Sequence, residues 1–297
     1  MNRVAGLPPF TPYTFGAMRV GCDERRLSDD IRLVRRAMEA GVWIHASPTY
    51  NQGNTFTVLR LAFDESPRER RPIVIKIRDL TPAWLRFDVE DTCRRLGVER
   101  VDIAQLRCLT TGPGGLVDDF VKQGPLWECC EKLRKEGKVG AFFLNSFRRL
   151  GDDVPRAVEK RLFDGIVIFL SPWEREASDD VFRRMQEQGY TILAMRTLAE
   201  GVMFPGPRAA ALAKSPNDSR VRRADALAPL LAPSGCPNWA EFSLRYLASV
   251  RQVVTSIGGT GSPDHLREFL EGATKGPLNR PIVEKIEAIL SDRFLAT

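Results

Sequence analysis

Six short apolar runs of this sequence each end in a polar side chain, and four of the six are lysine, arginine or histidine. The runs VWIH, IVIK, IAQLR, FFLN, IFLS and ILAMR end at His45, Lys76, Arg107, Asn145, Ser171 and Arg196. The carboxyl ends of parallel strands lie at one end of a barrel, where they form the active site. Strand ends that simply emerge into water explain some polar residues, but converging cations need an anion nearby. The pattern therefore predicts a pocket for an anionic group.

A glycine-rich loop near the carboxyl terminus is a second candidate site. The last apolar run continues into a loop and helix start made of Gly258, Gly259, Thr260, Gly261, Ser262 and Pro263. Serine suits the capping position of a helix and proline suits its first turn. Glycines let a ligand approach the backbone, and the free N–H groups of a helix start suit a phosphate. The alternative is a loop that only turns the chain.

A recurring unit positions these residues: an amphipathic helix stops at a glycine, and a short apolar strand follows. In the first unit we expect Ser28 to cap the helix and Gly41 to stop it in the left-handed conformation. Further helices are predicted at residues 82–96, 127–136, 179–188 and 239–248. Strands are predicted near residues 13–20 and at 42–44, 73–77, 101–106, 141–144, 166–170, 191–195 and 253–257.

Strands that are apolar throughout and alternate with helices indicate a parallel sheet buried on both faces. About eight such strands in 297 residues favour an α/β fold that closes into a (β/α)8 TIM barrel, with an open doubly wound sheet as the alternative. We therefore predict one barrel domain over residues 1–297. The segment 205–237, rich in Pro, Ala and Arg, is expected to be a lid or a surface excursion with one helical piece.

The composition argues against several classes of function. The net charge is +6, but the arginine doublets are dispersed among acidic residues, so we expect no nucleic-acid binding. No window approaches eighteen apolar residues and no signal peptide is evident, which predicts a cytoplasmic protein without a membrane span. Six cysteines without CxxC spacing and two distant histidines predict neither a disulfide framework nor a metal site. The oligomeric state stays open.

The sequence resembles the aldo-keto reductases over nearly its whole length. The segments EAGVWIHASPTYNQGNT and RPIVIKIRD are similar to that family's strand-two signature and to the strand with its catalytic lysine. DVEDTCRRLGVERVDIAQLR resembles the segment that ends in the catalytic histidine, and GKVGAFFLNSF the strand that supplies a Ser-Asn pair. WAEFSLRYLASVRQVVTSIGGTGSPDHLREFL is similar to the closing segment that holds the adenosine phosphates. The resemblance implies the barrel fold.

The resemblance implies hydride transfer between NADPH, or NADH, and a carbonyl group, with Tyr50 as general acid and Lys76 as its partner. Two of the family's four catalytic positions hold other residues, since His45 stands at the aspartate position and Arg107 at the histidine position. Loss of the carboxylate removes the group that keeps Lys76 charged. Arg107 partly compensates, because a cation favours the tyrosinate and can bind a substrate oxygen.

The resemblance also assigns the nucleotide-binding positions. Asn145 and Ser146 match the pair that contacts the nicotinamide amide, whereas Val167 replaces a glutamine and Leu170 stands where a stacking aromatic is expected. The other assigned positions are Arg196, Leu198, Gly258, Gly259, Thr260, Gly261, Ser262, His265 and Glu268, with Phe269 in place of an asparagine. Glycine or histidine occupies three positions that are often basic, so we expect only a weak preference between NADP and NAD.

Three hypotheses follow. The first is an NAD(P)H-dependent reductase of a small anionic carbonyl substrate, and the second is a redox-neutral lyase or isomerase that uses Tyr50, Lys76 and His45 for proton transfer. The third is a binding protein that retains the fold without catalysis. Two structural alternatives stay open. Tyr50 could be a packing residue at the barrel rim, and His45 could be a hydrogen-bonded histidine of the core.

Overall fold

Eight short strands pair in parallel and close into a barrel. They are β1 (Tyr13–Gly16), β2 (Trp43–Ala46), β3 (Ile73–Lys76), β4 (Val101–Arg107), β5 (Val139–Asn145), β6 (Gly165–Ser171), β7 (Thr191–Met195) and β8 (Val253–Gly259). Each strand pairs with the next, and β8 pairs with β1 to close the ring. The two-residue strand Glu174–Arg175 pairs antiparallel with β6. The computed structural model describes residues 4, 6–69, 71–77, 81–107, 112–145, 153–291 and 293–294.

Helices surround this barrel. Over the described ranges they are α1 (Leu27–Glu39), α2 (Asn54–Glu65), α3 (Pro82–Leu96), α4 (Leu116–Lys122), α5 (Pro125–Lys135), α6 (Asp153–Glu159), α7 (Asp179–Glu187), α8 (Pro205–Lys214), α9 (Ser219–Leu227), α10 (Trp239–Ser249), α11 (Pro263–Ala273) and α12 (Arg280–Leu290). Side-chain caps begin several of them, such as Thr81 on α3 and Asn238 on α10. Each helix of the described part is too short or too polar to cross a membrane.

The strands are buried on both faces, as their apolar sequences require. One face packs against the helices, and the other fills the barrel interior with Trp43, Val74, Ile103, Ala141, Phe143, Val167, Phe169, Leu193, Met195 and Ile257. At the amino ends of the strands, Phe10 stacks on Trp43 with ring centroids 4.7 Å apart. The Trp43 indole also donates a hydrogen bond to the Pro9 carbonyl at 3.0 Å. These aromatic rings pack over the amino end of the barrel interior.

The barrel prediction is confirmed, and several element bounds differ. Helix α3 and strand β7 have the bounds that the sequence predicted, and Gly97 ends α3 with a φ of 62°. The assignment of Ser28 as a cap is wrong, because a 3-10 helix at Glu24–Arg26 leads directly into α1 and leaves Ser28 inside it. The first strand ends at Gly16 rather than near residue 20, since Ala17–Arg19 forms a 3-10 helix.

The segment 205–237 contains more helix than the single piece expected. It forms α8 and α9 and two short 3-10 helices. Arg223 of α9 donates to the carbonyl of Leu290 at 3.2 Å, which fixes α9 to α12. Arg220, also on α9, pairs with Glu200 in the loop after β7 at 2.8 Å. The segment thus contacts the carboxyl end of the barrel, and its function as a lid stays a prediction.

Candidate active site

A cavity of about 460 Å³ opens at the carboxyl ends of the strands. His45, Tyr50 and Lys76 line one side of it, from strands β2 and β3 and the loop after β2. The opposite side consists of the loop after β7 and the glycines that end β8. The structure therefore brings predicted catalytic and predicted nucleotide-binding residues around one cavity.

Tyr50 lies in the short helical turn Tyr50–Gly53 that follows β2. The next two residues, Asn51 and Gln52, have φ angles of 50° and 56°, which non-glycine residues seldom adopt. The Asn51 amide donates to the carbonyls of Met18 at 3.0 Å and Val20 at 2.7 Å, so the loop after β1 stabilises this turn. Burial raises the pKa of the Tyr50 hydroxyl, and the nearby Arg107 charge lowers it in part. The hydroxyl therefore holds its proton at neutral pH.

Lys76 is the last residue of β3, and its side chain is half-buried against the cavity. Its Nζ lies 5.4 Å from the centroid of the Tyr50 ring. Burial, together with the charge of Arg107, lowers the pKa of the Lys76 ammonium from 10.5 to about 8. No carboxylate of the described chain bonds to it. This direction agrees with the expectation that an unpaired lysine in a dry site loses part of its charge.

His45 forms a buried hydrogen-bonded pair with Gln105, a residue that the sequence did not single out. The imidazole Nε2 and the Gln105 Oε1 are 2.9 Å apart, and the two side chains are 2% and 0% exposed. Burial and the adjacent Lys76 lower the pKa of His45 to about 3, although the Gln105 hydrogen bond opposes this. The imidazole is therefore neutral, and it cannot replace an aspartate as an ion-pair partner of Lys76. His45 is both hydrogen-bonded and part of the cavity wall.

Arg107 and Asn145 end the adjacent strands β4 and β5 and are register partners. Arg107 is half-buried and lies outside the set of described residues that line the cavity, but its charge lowers the pKa of both Tyr50 and Lys76. Asn145 is fully buried at the end of β5. Ser171 is also fully buried, and its hydroxyl accepts a hydrogen bond from the Trp173 N–H at 3.4 Å. Ser146 lies outside the described residues.

The glycine wall of the cavity depends on close backbone approach. The first two glycines of the predicted loop, Gly258 and Gly259, end β8 beside β1. A Cβ on Gly259 would lie 3.0 Å from the Gly16 carbonyl oxygen, and one on Gly258 would lie 3.1 Å from Thr197 Oγ1. The hydroxyl of Tyr13 donates to the Gly258 carbonyl at 2.7 Å and fixes the strand end. Larger residues would therefore displace the wall at both glycines.

The helix start after this loop has the predicted geometry. The Ser262 hydroxyl accepts a hydrogen bond from the His265 N–H at 3.4 Å and caps α11. The Thr260 hydroxyl accepts from the Ser262 N–H at 3.0 Å, and the Arg26 guanidinium donates to the Gly261 carbonyl. The His265 side chain is exposed on α11. His265 and Glu268 lie outside the set of described residues that line the cavity.

The loop after β7 contributes Arg196 and Leu198 to the cavity. The Arg196 guanidinium pairs with Glu174 at 3.1 Å and with Glu200 at 2.9 Å, and it lies 4.5 Å from the centroid of the Phe169 ring. Arg196 also has a φ of 67°, so the loop has an unusual conformation where it meets the cavity. The charge of Arg196 is balanced by two carboxylates.

The resemblance places the residue that stacks on the nicotinamide at Leu170, and this assignment is wrong for this chain. Leu170 packs outside the barrel with the helix-facing core, because successive strand residues point to opposite faces. Phe169 and Met195 point inward and line the cavity. A third apolar residue, Phe269 of α11, also lines it and stacks on Tyr13 with ring centroids 5.1 Å apart.

The cysteines contribute no group to this cavity within the described ranges. Cys22 is exposed, Cys93, Cys129, Cys130 and Cys236 are buried, and all five are free thiols. Cys108 lies outside the described residues. Across the same ranges, no three His, Cys, Asp or Glu side chains are grouped closely enough to hold a metal ion.

The parallel barrel thus carries a tyrosine, a lysine and a glycine wall around one cavity at the carboxyl ends of its strands, where active sites of this fold lie. The model of the Aldo/keto reductase family matches residues 13–291, and the chain belongs to this family. The glycerol dehydrogenase of Gluconobacter oxydans superposes with a TM-score of 0.78 at 18% identity, covering 97% of this chain and 94% of that chain.

Two further solved structures have the same fold. The holo form of an aldo-keto reductase from Bacillus halodurans gives a TM-score of 0.75 at 20% identity, covering 94% of this chain and 92% of that chain. An aldo/keto reductase from Klebsiella pneumoniae, in complex with NADP and acetate, gives 0.72 at 16% identity, covering 94% and 91%. Identities this low show similarity of fold alone.

Proposed function

We propose that this protein reduces a small carbonyl compound that carries an anionic group, with NADPH or NADH as the reductant. The observation that supports the proposal most is that Tyr50 and Lys76 share one cavity with the glycine wall at the end of β8. A proton donor for the carbonyl oxygen and a backbone surface for a nucleotide are the two parts that such a reaction requires.

The residues on the glycine side fit a dinucleotide. Gly258 and Gly259 present bare backbone to the cavity, and the start of α11, capped by Ser262, offers the N-terminal end of a helix. In the proposed complex these residues hold the phosphates, while the loop at Leu198 contacts the nicotinamide end. A bound reduced nicotinamide supplies hydride to the carbonyl carbon. The similar protein of Klebsiella pneumoniae was solved with NADP and acetate.

On the opposite side, Tyr50 donates the proton that the carbonyl oxygen requires. Burial keeps its hydroxyl protonated at neutral pH, which suits a proton donor. Lys76, with a pKa of about 8, is still mainly protonated at pH 7 and stabilises the negative charge that develops on the oxygen. His45 holds no charge here, so it shapes the cavity through its hydrogen bond to Gln105.

The anionic substrate follows from the charges around Tyr50. The positive charge of Arg107 disfavours the charged form of Lys76, and neutral His45 offers Lys76 no acidic partner. A half-buried ammonium without a carboxylate partner, as at Lys76, is stabilised by an anionic ligand beside it. A carboxylate on the substrate would bind at Lys76 with the carbonyl oxygen directed to Tyr50, and the charge of Arg107 would favour the anion further.

Matched substrates test this proposal. We expect a 2-oxo acid to react faster than its methyl ester, and Arg107→Leu to lower kcat/KM for the acid by about 10- to 100-fold, since a hydrogen bond to a charged group contributes about 1.5–3 kcal/mol. Arg94→Leu, which removes an exposed arginine of α3, is the control and leaves both substrates unaffected. Equal or better activity on the ester, or an Arg107→Leu variant with unchanged kcat/KM for the acid, would exclude the anionic substrate.

A further inference from the structure

The amine of Lys76 has the surroundings of a nucleophile. It is half-buried at the edge of the cavity, and in the described chain it forms neither an ion pair nor a hydrogen bond. The positive charge of Arg107 disfavours the ammonium form, and neutral His45 does not offset this effect. Desolvation beside a second cation is the arrangement that activates lysine amines for attack on carbonyl carbon.

The carboxylate of the cavity lining is paired with arginines and is not a counter-ion of Lys76. Among the described residues that line the cavity, Glu200 has the only carboxylate. It pairs with Arg196 at 2.9 Å and with Arg220 at 2.8 Å on the opposite side of the cavity. These two arginines hold Glu200 in place, so Lys76 has no acidic partner within the cavity.

We propose that Lys76 forms an imine with a small carbonyl compound bound in this cavity, in a reaction that needs no nucleotide. Lys76 and Tyr50 both line this cavity, and the Lys76 Nζ lies 5.4 Å from the Tyr50 ring centroid, so a small molecule bound there has the amine and the phenol on the same side. This covalent chemistry goes beyond the proposed reduction, because it uses Lys76 as a nucleophile rather than as a charge.

The atoms balance without an oxidant. Neutral Nζ adds to the carbonyl carbon, and the electron pair of the C–O π bond moves to oxygen, which takes a proton from Tyr50. The new ammonium nitrogen returns a proton to Tyr50, leaving a carbinolamine. Tyr50 then protonates the departing hydroxyl, the C–O bond breaks to release water, and the nitrogen lone pair forms the protonated imine. Solvent restores the proton of Tyr50, so the net change is ketone plus ammonium to iminium plus water.

The rate of imine formation depends on pH through the neutral fraction of Lys76. The charged and titratable groups of the described chain that line the cavity with Lys76 are Arg19, His45, Tyr50, Arg196 and Glu200, and the charge of Arg107 acts on Lys76 from outside this lining. Tyr50 stays protonated and His45 neutral across pH 7–9, so Lys76 itself titrates in this range, with a pKa of about 8. An exposed lysine with a pKa near 10.4 is about 100-fold less deprotonated at pH 8.

Reductive trapping tests the proposal directly. The purified full chain, without nucleotide, is incubated with pyruvate and sodium borohydride, and intact mass and peptide mapping locate the adduct. We expect one adduct per chain on Lys76, formed faster as the pH rises from 7 to 9. Lys76→Arg keeps the positive charge but cannot form the imine, so its adduct is absent. Lys138→Arg removes another half-buried lysine at the amino end of β5 and leaves the adduct unchanged.

The outcome is independent of the proposed reductase activity. Adducts spread over exposed lysines, or equal labelling of Lys76→Arg and the native chain, would overturn the imine. If Lys76→Arg does not fold, the peptide map of the native chain alone decides which lysine reacts. Nucleotide binding without an adduct would leave the reductase proposal intact, and an adduct without nucleotide binding would support the imine alone.

Discussion

Replacement of His45 by aspartate is expected to raise the pKa of the Lys76 ammonium. In the native chain, burial and the charge of Arg107 hold this pKa at about 8, and neutral His45 adds no compensating charge. A carboxylate within about 4–6 Å raises the pKa of a neighbouring cation by about 1–3 units, so the His45→Asp variant should titrate between about 9 and about 11. This corresponds to about 1.4–4 kcal/mol in favour of the charged form.

Competitive labelling with acetic anhydride at a series of pH values measures this change on the Lys76 peptide. At pH 8 about half of the native amine is neutral, whereas about a tenth or less should be neutral in His45→Asp. The Gln105 amide can rotate so that its Nε2, which has no hydrogen-bond partner in the described structure, donates to the new carboxylate. The substitution is therefore expected to preserve the fold.

His45→Asn is the matched control, because it removes the imidazole without adding charge and leaves the labelling midpoint near pH 8. If His45→Asp and His45→Asn give the same midpoint as the native chain, Lys76 does not respond to the group at position 45. The assignment of Lys76 as an uncompensated cation would then be wrong.

Two further predictions concern Tyr50 and the acid stability of the fold. Tyr50→Phe removes the proton donor and should lower kcat for carbonyl reduction by about 10²–10⁴-fold. Tyr190→Phe, at a buried tyrosine away from the cavity, is the control and leaves kcat unchanged. Retained activity in Tyr50→Phe would disprove the mechanism. The pKa of His45 is about 3 in the folded chain and 6.5 in the unfolded chain, so below pH 6.5 the unfolded chain takes up a proton that the folded chain does not. The free energy of unfolding therefore decreases as the pH is lowered. Between pH 7 and pH 5 the native chain should lose about 2 kcal/mol more unfolding free energy than His45→Asn in urea titrations, and equal losses would show that His45 is not held neutral.

The sequence predicts the barrel well because its signals are local. Helix α3 begins after Thr81 as a side-chain cap and ends at Gly97 with a positive φ, and both signals are legible in the sequence. The start of α1 is misplaced because the preceding 3-10 helix continues into it, which makes a cap at Ser28 unnecessary. Asp23, whose side chain accepts from the Arg25 N–H at 3.0 Å, caps the 3-10 helix, so two nearby cap signals compete and the sequence pattern does not rank them.

The site is predicted less completely because the strands are apolar on both faces. Nothing in the run IVIFLS indicates which side chains face inward. The stacking position is therefore expected at Leu170, whereas Phe169 is the residue that faces the barrel interior. Gln105 does carry a signal, since it is a polar residue within the apolar run IAQLR. Its hydrogen bond to His45 joins two strands that are not adjacent in the barrel, and the sequence alone cannot supply that contact.

Nucleotide binding tests the central proposal most directly. Titration of the chain with NADPH and with NADH, followed by quenching of tryptophan fluorescence, should give a dissociation constant well below about 1 mM for at least one of them. Gly259→Ala should weaken this binding, because its Cβ would lie 3.0 Å from the Gly16 carbonyl oxygen and displace the cavity wall. Dissociation constants weaker than about 1 mM for both nucleotides, a binding free energy near −4 kcal/mol, would contradict the proposed reductase and favour a binding protein that retains only the fold.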